Sequence, residues 1–239
     1  METKSYNSLI YGRNPVVEAI KNSGVVSIIL SDSFKDEKII KLINEYSLPC
    51  KRISARELNQ MCPGVNQGIA AYVKSYTYHS LEEIIHKSKQ ETRPIIVMLD
   101  GIVDPHNFGA ILRCCDIFAV AGVIISKHNQ VPLNATVAKT SAGAINYVPV
   151  VSVGNLNAAI KTLKDAGFWI VATSGNATTN YQDLDYNFPV VLIIGNEGDG
   201  VSPLVMKNSD YLVKIPMYGK VNSLNASVAT GILLSRIKN

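Results

Sequence analysis

Short apolar runs separated by polar or helical stretches recur along the whole chain of 239 residues. The runs in the first third are rich in β-branched residues, as strands are, and the stretches between them have helical spacing. In chain order, the predicted elements are a helix that begins at Pro15 with Asn14 as its cap, a strand at 25–30, a helix near 36–46, a strand near 50–53, a helix near 55–61 and a strand at 69–73. This alternation predicts a small α/β unit.

A second series of apolar runs follows a polar segment at 77–92, which carries one possible helix at 81–87 and which we interpret as a linker. The predicted strands of this series are at 95–99, 123–126, 169–173, 190–194 and 212–216. Because helical patterns lie between most of them, we expect a mainly parallel sheet that is covered on both faces. Ligands of such sheets bind beyond the carboxyl ends of the strands, which directs attention to the loops after the first, fourth and fifth strands of this series.

Composition narrows the class of protein. With 47% hydrophobic and 18% charged residues, the chain is typical of a soluble globular protein. Its apolar runs are far shorter than the roughly 18 residues of a membrane helix, and the opening METKSYNS lacks signal-peptide character, so we expect a cytoplasmic location. The four cysteines form no C-x-x-C pair, and we expect buried, reduced thiols without a metal site. The net charge of +4 permits a nucleic-acid partner without requiring one.

The loop after the first strand of this series, DPHNFGAILR, contains polar residues with two interpretations each. Asn107 is either a helix cap or a site residue. Arg113 is either a solvated helical residue that pairs with Asp116 or a functional cation. His106 could act as a base, although a lone loop histidine more often has no such role. In isolation, the structural interpretations of these residues are the commoner ones.

The loop after the fourth strand, GNEGDG at 195–200, combines glycines with two carboxylates. It is not a dinucleotide fingerprint, because Pro203 stands where the third glycine should be, and the chain has no Gly-Lys-Ser/Thr of a Walker loop. Glu197 and Asp199 would repel a phosphate, so a neutral or cationic ligand better fits the exposed backbone N–H groups. The alternative is a tight turn into a helix that begins at Ser202-Pro203.

The loop after the fifth strand leads into VNSLNASVATGILLSRI. Apolar residues recur there at near-helical spacing and predict a buried amphipathic helix: Val221, Leu224, Val228 and Ile232. Either Asn222 or Ser223 can cap this helix. Ser223, Asn225 and Ser227 are then either capping residues or donors and acceptors around a ligand at the helix N-terminus.

Taken together and in this order, three motifs resemble the signature motifs of the SpoU (TrmH) family of RNA ribose 2′-O-methyltransferases. They are N-x-G-A-x-x-R at Asn107–Arg113, G-N-E-G-x-G at Gly195–Gly200 with IPM at Ile215–Met217, and S-L-N-x-S-x-A at Ser223–Ala229. The resemblance extends over the whole chain. LDGIVDPHNFGAILR, PLNAT, SLNASVATGI, IYGRNPVVEAI and NQGIAA are especially similar to the bacterial 23S rRNA guanosine 2′-O-methyltransferase subgroup, which often has His-Gln-Gly where this chain has Asn66-Gln67-Gly68.

The resemblance implies a SPOUT-type α/β methyltransferase domain at 93–239, whose C-terminal chain is threaded into a deep trefoil knot. It also implies a preceding RNA-binding domain similar to ribosomal protein L30e at 1–76, joined to it by the linker at 77–92. The apolar pattern alone predicts an unknotted doubly wound sheet, because knots are nearly absent from proteins. Members of the family work as homodimers and bind S-adenosylmethionine in the knot.

Carried onto this sequence, the resemblance implies a cofactor pocket that is formed largely by main chain. Its residues are Thr173, Ser174, Gly175, Gly195, Asn196, Gly200, Ile215, Met217 and Leu224. The positions implied for catalysis and RNA binding are Asn107, Arg113, Glu197, Ser223 and Asn225. No metal ion is expected.

The implied reaction is methylation of a ribose 2′-hydroxyl, with a guanosine of 23S rRNA as the expected target. Arg113 is viewed in the family as a general base. Because arginine keeps its proton to above about pH 12, we expect Arg113 instead to anchor the adjacent phosphate bidentately and to stabilise the developing alkoxide. Asn107 and Glu197 are expected to orient Arg113 or the ribose, and Ser223 and Asn225 to shape the cofactor end.

Other functions stay open on the sequence. Relatives that act on tRNA, or that methylate rRNA to confer resistance, share the same motifs. A non-catalytic RNA-binding assembly factor is a second hypothesis, which the retention of all five implied catalytic positions disfavours. A nucleotide-dependent oxidoreductase is a third, and the missing G-x-G-x-x-G motif argues against it.

Overall fold

The structure, a computed structural model, describes residues 7–21, 24–62, 64–74, 76–221 and 223–239. The chain divides into two compact units. One unit comprises the residues up to Thr77 together with the short stretch Leu133–Thr136, and the other comprises Tyr78–Pro132 and Val137–Asn239.

The first unit is an α/β sandwich around a small sheet. Its elements are β1 (Asn7–Tyr11), α1 (Arg13–Lys21), β2 (Val25–Ser31), α2 (Glu37–Glu45), β3 (Cys50–Ile53), α3 (Ala55–Met61) and β4 (Ile69–Lys74). The described residues form four strands in the order β1-β4-β2-β3, with β4 antiparallel to both of its neighbours. Successive residues of a strand face opposite sides. Ile28 therefore packs in the cluster that includes α1 and α2, and Ile29 packs in the cluster that includes α3.

Side-chain caps explain where two of these helices begin. The Asp36 side chain accepts a hydrogen bond from the backbone N–H of Ile39, and Ser54 caps α3 in the same way. Both helices lie where the sequence predicts them. The first helix differs from its prediction, because it begins at Arg13 and Asn14 is already inside it. Strand β1 is not predicted, since it is short and lies at an edge of the sheet.

The second unit contains the larger sheet. The remaining elements of the chain are α4 (Leu81–Ser88), β5 (Ile95–Asp100), α5 (Pro105–Ile117), β6 (Gly122–Ser126), α6 (Ala135–Thr140), a short 3₁₀ helix (Ala144–Asn146), β7 (Val150–Val153), α7 (Leu156–Asp165), β8 (Trp169–Thr173), β9 (Thr179–Asn180), β10 (Val190–Gly195), α8 (Pro203–Lys207), β11 (Tyr211–Lys214) and α9 (Ala226–Lys238). In the described residues, seven strands pair in the order β7-β6-β5-β10-β8-β11-β9, and every pairing is parallel. This confirms the predicted α/β class with its mainly parallel sheet.

Helices cover both faces of this sheet, as parallel sheets require. One face buries a cluster in which Met98, Ile124 and Ile193 pack with residues of α4, α7 and α8. On the other face, α5 contacts β6 and α9 contacts β10, and α5 and α9 pack against each other. The strand β10 is buried along its whole length, which explains its uninterrupted apolar sequence VVLII.

The segment predicted as a linker, 77–92, is instead largely part of this fold. Helix α4 begins at a capping box, in which Ser80 and Glu83 each bond the other's backbone N–H. Ile84 of this helix is 1% exposed and lies against Gly122, where a Cβ would approach its side chain to 2.2 Å. This contact is not predictable from the mainly polar composition of the segment, because only one face of the short helix α4 is apolar.

The C-terminal helix also differs from its prediction. α9 begins at Ala226 and is capped by Asn225, so Val221 and Leu224 precede the helix. Val221 is 73% exposed and Val228 is 49% exposed, so neither belongs to a buried face. The alternative cap Asn222 lies outside the described residues, and Ser223 lies two residues before the actual cap. The buried residues of α9 are Ala226, Thr230, Leu233, Leu234 and Ile237. The strands β7 and β9 are further elements that the sequence does not predict, and the trefoil knot stays a prediction.

The structure also bears on the expected burial of the cysteines and on the length of the helices. Cys62 and Cys115 are buried, Cys114 is partly buried and Cys50 is exposed, so the expectation of a buried thiol is wrong for Cys50. Of the helices in the described ranges, none has the length and apolar character to cross a bilayer.

Candidate active site

Four neighbouring strands of the larger sheet bring their carboxyl ends to one edge. The strands β5, β10, β8 and β11 are adjacent and parallel, so the loops that follow them meet there. A cavity of about 750 Å³ lies among three of these loops. Its lining consists of 173–176, 194–201, 213–217 and 223–224, together with Met206, Ala226 and Ala229. This volume is in the range of small-molecule sites.

The loop after β10 is both a tight turn and a wall of the cavity. The Asn196 side chain oxygen accepts hydrogen bonds from the backbone N–H groups of Gly198 and Asp199, at 2.8 and 2.7 Å. The loop closes over its own start: a Cβ on Gly195 would lie 2.1 Å from the carbonyl carbon of Gly200. Only glycine fits at 195, because the backbone of Gly200 and Val201 occupies the space that a side chain would need. The tight turn of the sequence analysis is thus present, and its residues also line the cavity.

The loop between β11 and α9 forms the facing wall. Ile215, Met217 and Leu224 line the cavity beside Ser223. The helix then begins at Asn225, whose side chain oxygen accepts from the backbone N–H and the hydroxyl of Ser227, at 2.9 and 2.6 Å. The cap holds Asn225 in place and leaves its amide NH₂ free to reach another element.

A hydrogen-bonded chain of side chains joins the three motif loops. The NH₂ group of Asn225 donates to the Asn107 side chain oxygen at 2.7 Å, and the NH₂ group of Asn107 donates to a Glu197 carboxylate oxygen. Asn107 lies in the first turn of α5 and does not cap it, because Asp104 is the cap. The predicted capping role of Asn107 is therefore wrong, and its side chain is available for this bridge.

Close helix packing supports the bridge. Gly109 of α5 faces Thr140, and a Cβ at 109 would meet the Thr140 hydroxyl at 1.9 Å. Farther along α5, the Cys114 sulfur lies 3.9 Å from the carbonyl oxygen of Ser227 and 3.6 Å from the position of a Cβ on Gly231. Small residues at these points set the distance between α5 and its neighbours, and thus the position of Asn107.

Arg113 stands apart from this cluster. It lies on α5, is exposed and is not part of the cavity lining. Across the described residues Arg113 has no hydrogen bond or ion pair, so the pairing with Asp116 that the sequence suggested is absent. His106 is also exposed, and its backbone N–H donates to the Asp104 carboxylate at 2.9 Å. A free guanidinium at this position is available to an anionic partner.

The structure places the residues implied for the cofactor on one surface. All of them line the cavity, and so do Glu197 and Ser223 of the implied catalytic set. Asn107 and Asn225 join this surface through the hydrogen bonds to Glu197, whereas Arg113 does not. Among the lining residues that sequence reasoning missed are Met206, Val213 and Lys214. Val213 and Lys214 adjoin a predicted motif and could have been included, but Met206 reaches the cavity only through the packing of α8.

The lining of the cavity suits a ligand with an apolar part and a cationic centre. Backbone groups and small residues lie on the glycine-rich side, and Met206, Val213 and Leu224 supply apolar surface. The carboxylates of Glu197 and Asp199 outnumber the single lysine of the lining, Lys214. They would attract a positive charge and repel a phosphate. In the part of the chain that the structure describes, no group of three or more His, Cys, Asp or Glu residues could hold a metal ion.

Family comparisons cover both units. The sequence model of the SpoU rRNA Methylase family matches residues 94–235. A second model, described as RNA 2′-O ribose methyltransferase substrate binding, matches residues 9–79.

Several relatives match over nearly their full length. The chain is 41% identical over 234 residues to a protein of Staphylococcus epidermidis, covering 96% of this chain and 94% of the relative. It is 35% identical over 233 residues to YacO of Bacillus subtilis, covering 95% of this chain and 94% of YacO. Both relatives are named as TrmH family tRNA/rRNA methyltransferases.

Solved structures show the same fold. The SpoU methyltransferase AviRb of Streptomyces viridochromogenes, in complex with AdoMet, superposes with a TM-score of 0.62 at 22% identity, covering 97% of this chain and 89% of AviRb. The A. aeolicus TrmH/SpoU tRNA modifying enzyme is 35% identical with a TM-score of 0.57, covering 66% of this chain and 79% of that one.

Proposed function

The chain belongs to the SpoU rRNA Methylase family of RNA methyltransferases, and from this premise we propose that it methylates the ribose 2′-hydroxyl of a guanosine in 23S rRNA. The methyl donor is S-adenosylmethionine, and the reaction takes place in the cytoplasm. The observation that carries the proposal is that two of the motif loops line one cavity and that the Glu197–Asn107–Asn225 hydrogen bonds join the third motif to them. The match of residues 9–79 to a substrate-binding model for RNA 2′-O ribose methyltransferases supports the choice of the ribose hydroxyl.

The cavity passes a chemical test for S-adenosylmethionine. The glycine-rich loop at 195–200 contributes main-chain groups to one wall of the cavity. The lining combines such groups with apolar side chains, which suit an adenosine, and with the carboxylates of Glu197 and Asp199, which suit a sulfonium and an ammonium. Thr173, Ser174, Gly175, Asn196, Gly200, Ile215, Met217 and Leu224 would complete its binding site. When bound, the cofactor supplies an electrophilic methyl group on a positively charged sulfur.

The residues of this chain then have to position the ribose hydroxyl and stabilise the oxygen as it loses its proton. Positioning alone contributes on the order of 7 kcal/mol or more to such displacements. Asn107 is held from both sides, by Glu197 and by Asn225, so its amide has a single orientation. Glu197 lies at once in this bridge and in the cavity lining. We therefore assign Asn107 and Glu197 the placement of the ribose, and Ser223 and Asn225 the shape of the cofactor end.

Arg113 supplies the cation. Its guanidinium is exposed and unpaired among the described residues, which suits the bidentate anchoring of the phosphate next to the target ribose. The same charge stabilises the developing alkoxide. Because Arg113 does not line the cavity in the single chain, the RNA or a second protomer has to bring it to the reacting oxygen.

The active species in this proposal is a homodimer. Ile117 of α5 is 72% exposed and Val228 of α9 is 49% exposed, and Val103 in the loop after β5 is 66% exposed. Such aliphatic side chains are costly to leave in water. Pairing through α5 and α9 would bury them and would bring the α5 helices, with Arg113, to the interface.

Two experiments test this proposal. Calorimetric titration with S-adenosylmethionine, NAD and ATP is expected to show binding of the first alone. Binding of NAD or ATP instead would contradict the assigned cofactor. Binding of none would favour a non-catalytic RNA-binding factor.

Mapping of 2′-O-methyl groups in rRNA and tRNA, before and after deletion of the gene, identifies the substrate. We expect the loss of one 2′-O-methylguanosine of 23S rRNA. The loss of a tRNA methyl group instead would assign the chain to the tRNA-directed branch, which the names of the relatives and the A. aeolicus enzyme keep open. A new methyl group that protects the ribosome from an antibiotic would indicate a resistance enzyme.

A further inference from the structure

The loop between β11 and α9 leaves the cavity wall and returns to it. Ile215, Pro216 and Met217 line the cavity before this excursion, and Ser223 and Leu224 line it afterwards. The described residues between these two lining segments, 218–221, are all exposed. We call these four residues the rim loop, because they project where the two segments of the cavity wall meet.

Tyr218 is the outstanding side chain of the rim loop. It is 96% exposed, more than any other large hydrophobic side chain in the described part of the chain. Within those same residues it has no hydrogen bond, ring contact or ion pair. A Cβ built on the next residue, Gly219, would meet nothing within 4 Å. Both faces of the Tyr218 ring are therefore accessible, and there is space around them for a planar partner.

The chemistry of the rim loop fits RNA. Unstacked nucleobases bind to aromatic side chains, and lysines beside them contact the phosphates. Lys220 is exposed two residues after Tyr218, and Lys214 lies in the cavity lining at the base of the loop. Any RNA whose ribose is to be methylated has to reach this cavity, so it has to pass its rim.

We propose that Tyr218 stacks on a nucleobase of the RNA next to the target ribose and that Lys220 contacts the neighbouring phosphate. This inference rests on the proposed function and adds a substrate-positioning residue to it. Stacking is tolerant of sequence because every base has a π-face. Tyr218 thus holds the strand at the cavity, whereas recognition of the guanosine lies elsewhere.

A second copy of the chain is the competing partner for an exposed aromatic residue. The exposed aliphatic side chains of α5 and α9, Ile117 and Val228, fit that role better, because an interface core is depleted of charge. The rim loop instead places a lysine and a glycine between its aromatic ring and one exposed aliphatic side chain, Val221. That combination is typical of single-stranded nucleic-acid contacts.

The test compares Tyr218→Ala with Tyr218→Phe and Tyr218→Trp, which keep an aromatic face. Methyl transfer from labelled S-adenosylmethionine is measured into total RNA from a strain that lacks the gene. We expect Tyr218→Ala to raise the KM for RNA by roughly fivefold to a hundredfold, with a much smaller change in kcat. The Phe and Trp variants should stay within about twofold of wild type. Tyr147→Ala is the matched control, since Tyr147 is 74% exposed and does not line the cavity.

A binding measurement separates stacking from charge. The affinity for a fluorescein-labelled single-stranded oligoribonucleotide is measured by anisotropy at several salt concentrations. Tyr218→Ala should weaken binding by the same factor at each concentration. Lys220→Ala should reduce the slope of log affinity against log salt by about 0.7, as expected for the loss of one phosphate contact on a single strand.

Defined results would overturn the inference. Wild-type KM and oligonucleotide affinity in Tyr218→Ala would exclude stacking, and so would loss of affinity in Tyr218→Phe. Conversion of Tyr218→Ala to a monomer in light scattering would show that the ring packs on a second copy. If the wild-type protein transfers no methyl group, the proposed function fails, and the anisotropy titration still decides for or against the role of Tyr218.

Discussion

At the scale of single residues, Asn107 shows how one amide connects distant parts of the chain. Its NH₂ group donates to Glu197, 90 residues away, and its oxygen accepts from Asn225, 118 residues away. No carboxylate could replace it, because an aspartate would lose the donor and would face the charge of Glu197. The two hydrogen bonds therefore require an amide at position 107, with a donor toward Glu197 and an acceptor toward Asn225.

Arg113→Lys tests bidentate anchoring. Lysine keeps the positive charge but loses the planar pair of donors. We expect kcat/KM for RNA to fall by about 10- to 100-fold, the range for a lost charge-assisted hydrogen bond, while the melting temperature stays unchanged because Arg113 is exposed. Methyl-transfer kinetics and a thermal melt measure both. Arg93→Lys is the matched control, since Arg93 is exposed and lies before the amino end of β5, away from the cavity edge. Near-normal turnover of Arg113→Lys would count against anchoring.

The cysteines should differ in reactivity with a disulfide reagent such as Ellman's reagent. Burial raises the pKa of the Cys115 thiol well above its usual value, and it raises the pKa values of Cys114 and Cys50 as well. A raised pKa leaves less thiolate at neutral pH, so each thiol reacts faster as the pH rises. We expect exposed Cys50 to react first and Cys114 more slowly, with Cys62 and Cys115 reacting only on unfolding.

The Cys50→Ser variant serves as the control for that labelling order. It should lose the fast phase and keep the others. Rapid labelling of Cys115 in the native protein at pH 7 would show that the packing around α5 is looser than its complete burial indicates.

At the scale of elements, the start of α9 combines two roles in one side chain. The Asn225 oxygen caps the helix, and the Asn225 NH₂ group supports the bridge to Asn107. On the opposite wall, the Asn196 side chain oxygen shapes the turn after β10, and Asn196 also lines the cavity. These two motif loops are thus structural turns that also line the cavity, whereas the first motif lies on helix α5.

Substitutions at Asn225 can separate these two roles. Asn225→Asp keeps the capping oxygen and removes the donor, so stability should be nearly unchanged while methyl transfer decreases strongly. Asn225→Ala removes both, and should also cost about 1 kcal/mol of unfolding free energy. Chemical denaturation and methyl-transfer assays on the two variants measure these effects. Full activity of Asn225→Asp would show that the bridge to Asn107 is dispensable.

At the scale of the whole molecule, the proposed dimer makes a direct prediction. Ile117→Asp places a charge on an exposed aliphatic position of α5 that a second copy would cover. We expect this variant to be monomeric in light scattering, with its melting temperature decreased only by the loss of association. Leu204→Asp is the matched control, since Leu204 is 57% exposed on α8, whose packing is on the other face of the sheet. A dimeric Ile117→Asp protein would contradict pairing through this part of α5.

Most of the larger sheet is predictable from local pattern. The continuous apolar runs at 190–194 and 95–99 predict strands correctly, because a strand inside a parallel sheet is buried on both of its faces. The strands that are not predicted, β1, β7 and β9, are short and lie at the edges of their sheets. Helix α4 is predicted near 81–87, but its buried contact with Gly122 is not.

The sequence by itself determined the class of fold through its periodicity, which is a local property of the chain, and the resemblance of its three motifs to the SpoU (TrmH) family identified the family and the candidate site residues. Only the tertiary structure decided which of these residues touch. It placed Met206 on the cavity, joined Asn107 to Glu197 and Asn225, and left Arg113 and Tyr218 exposed. Contacts across some hundred residues depend on how helices and strands pack, and no local pattern encodes that packing.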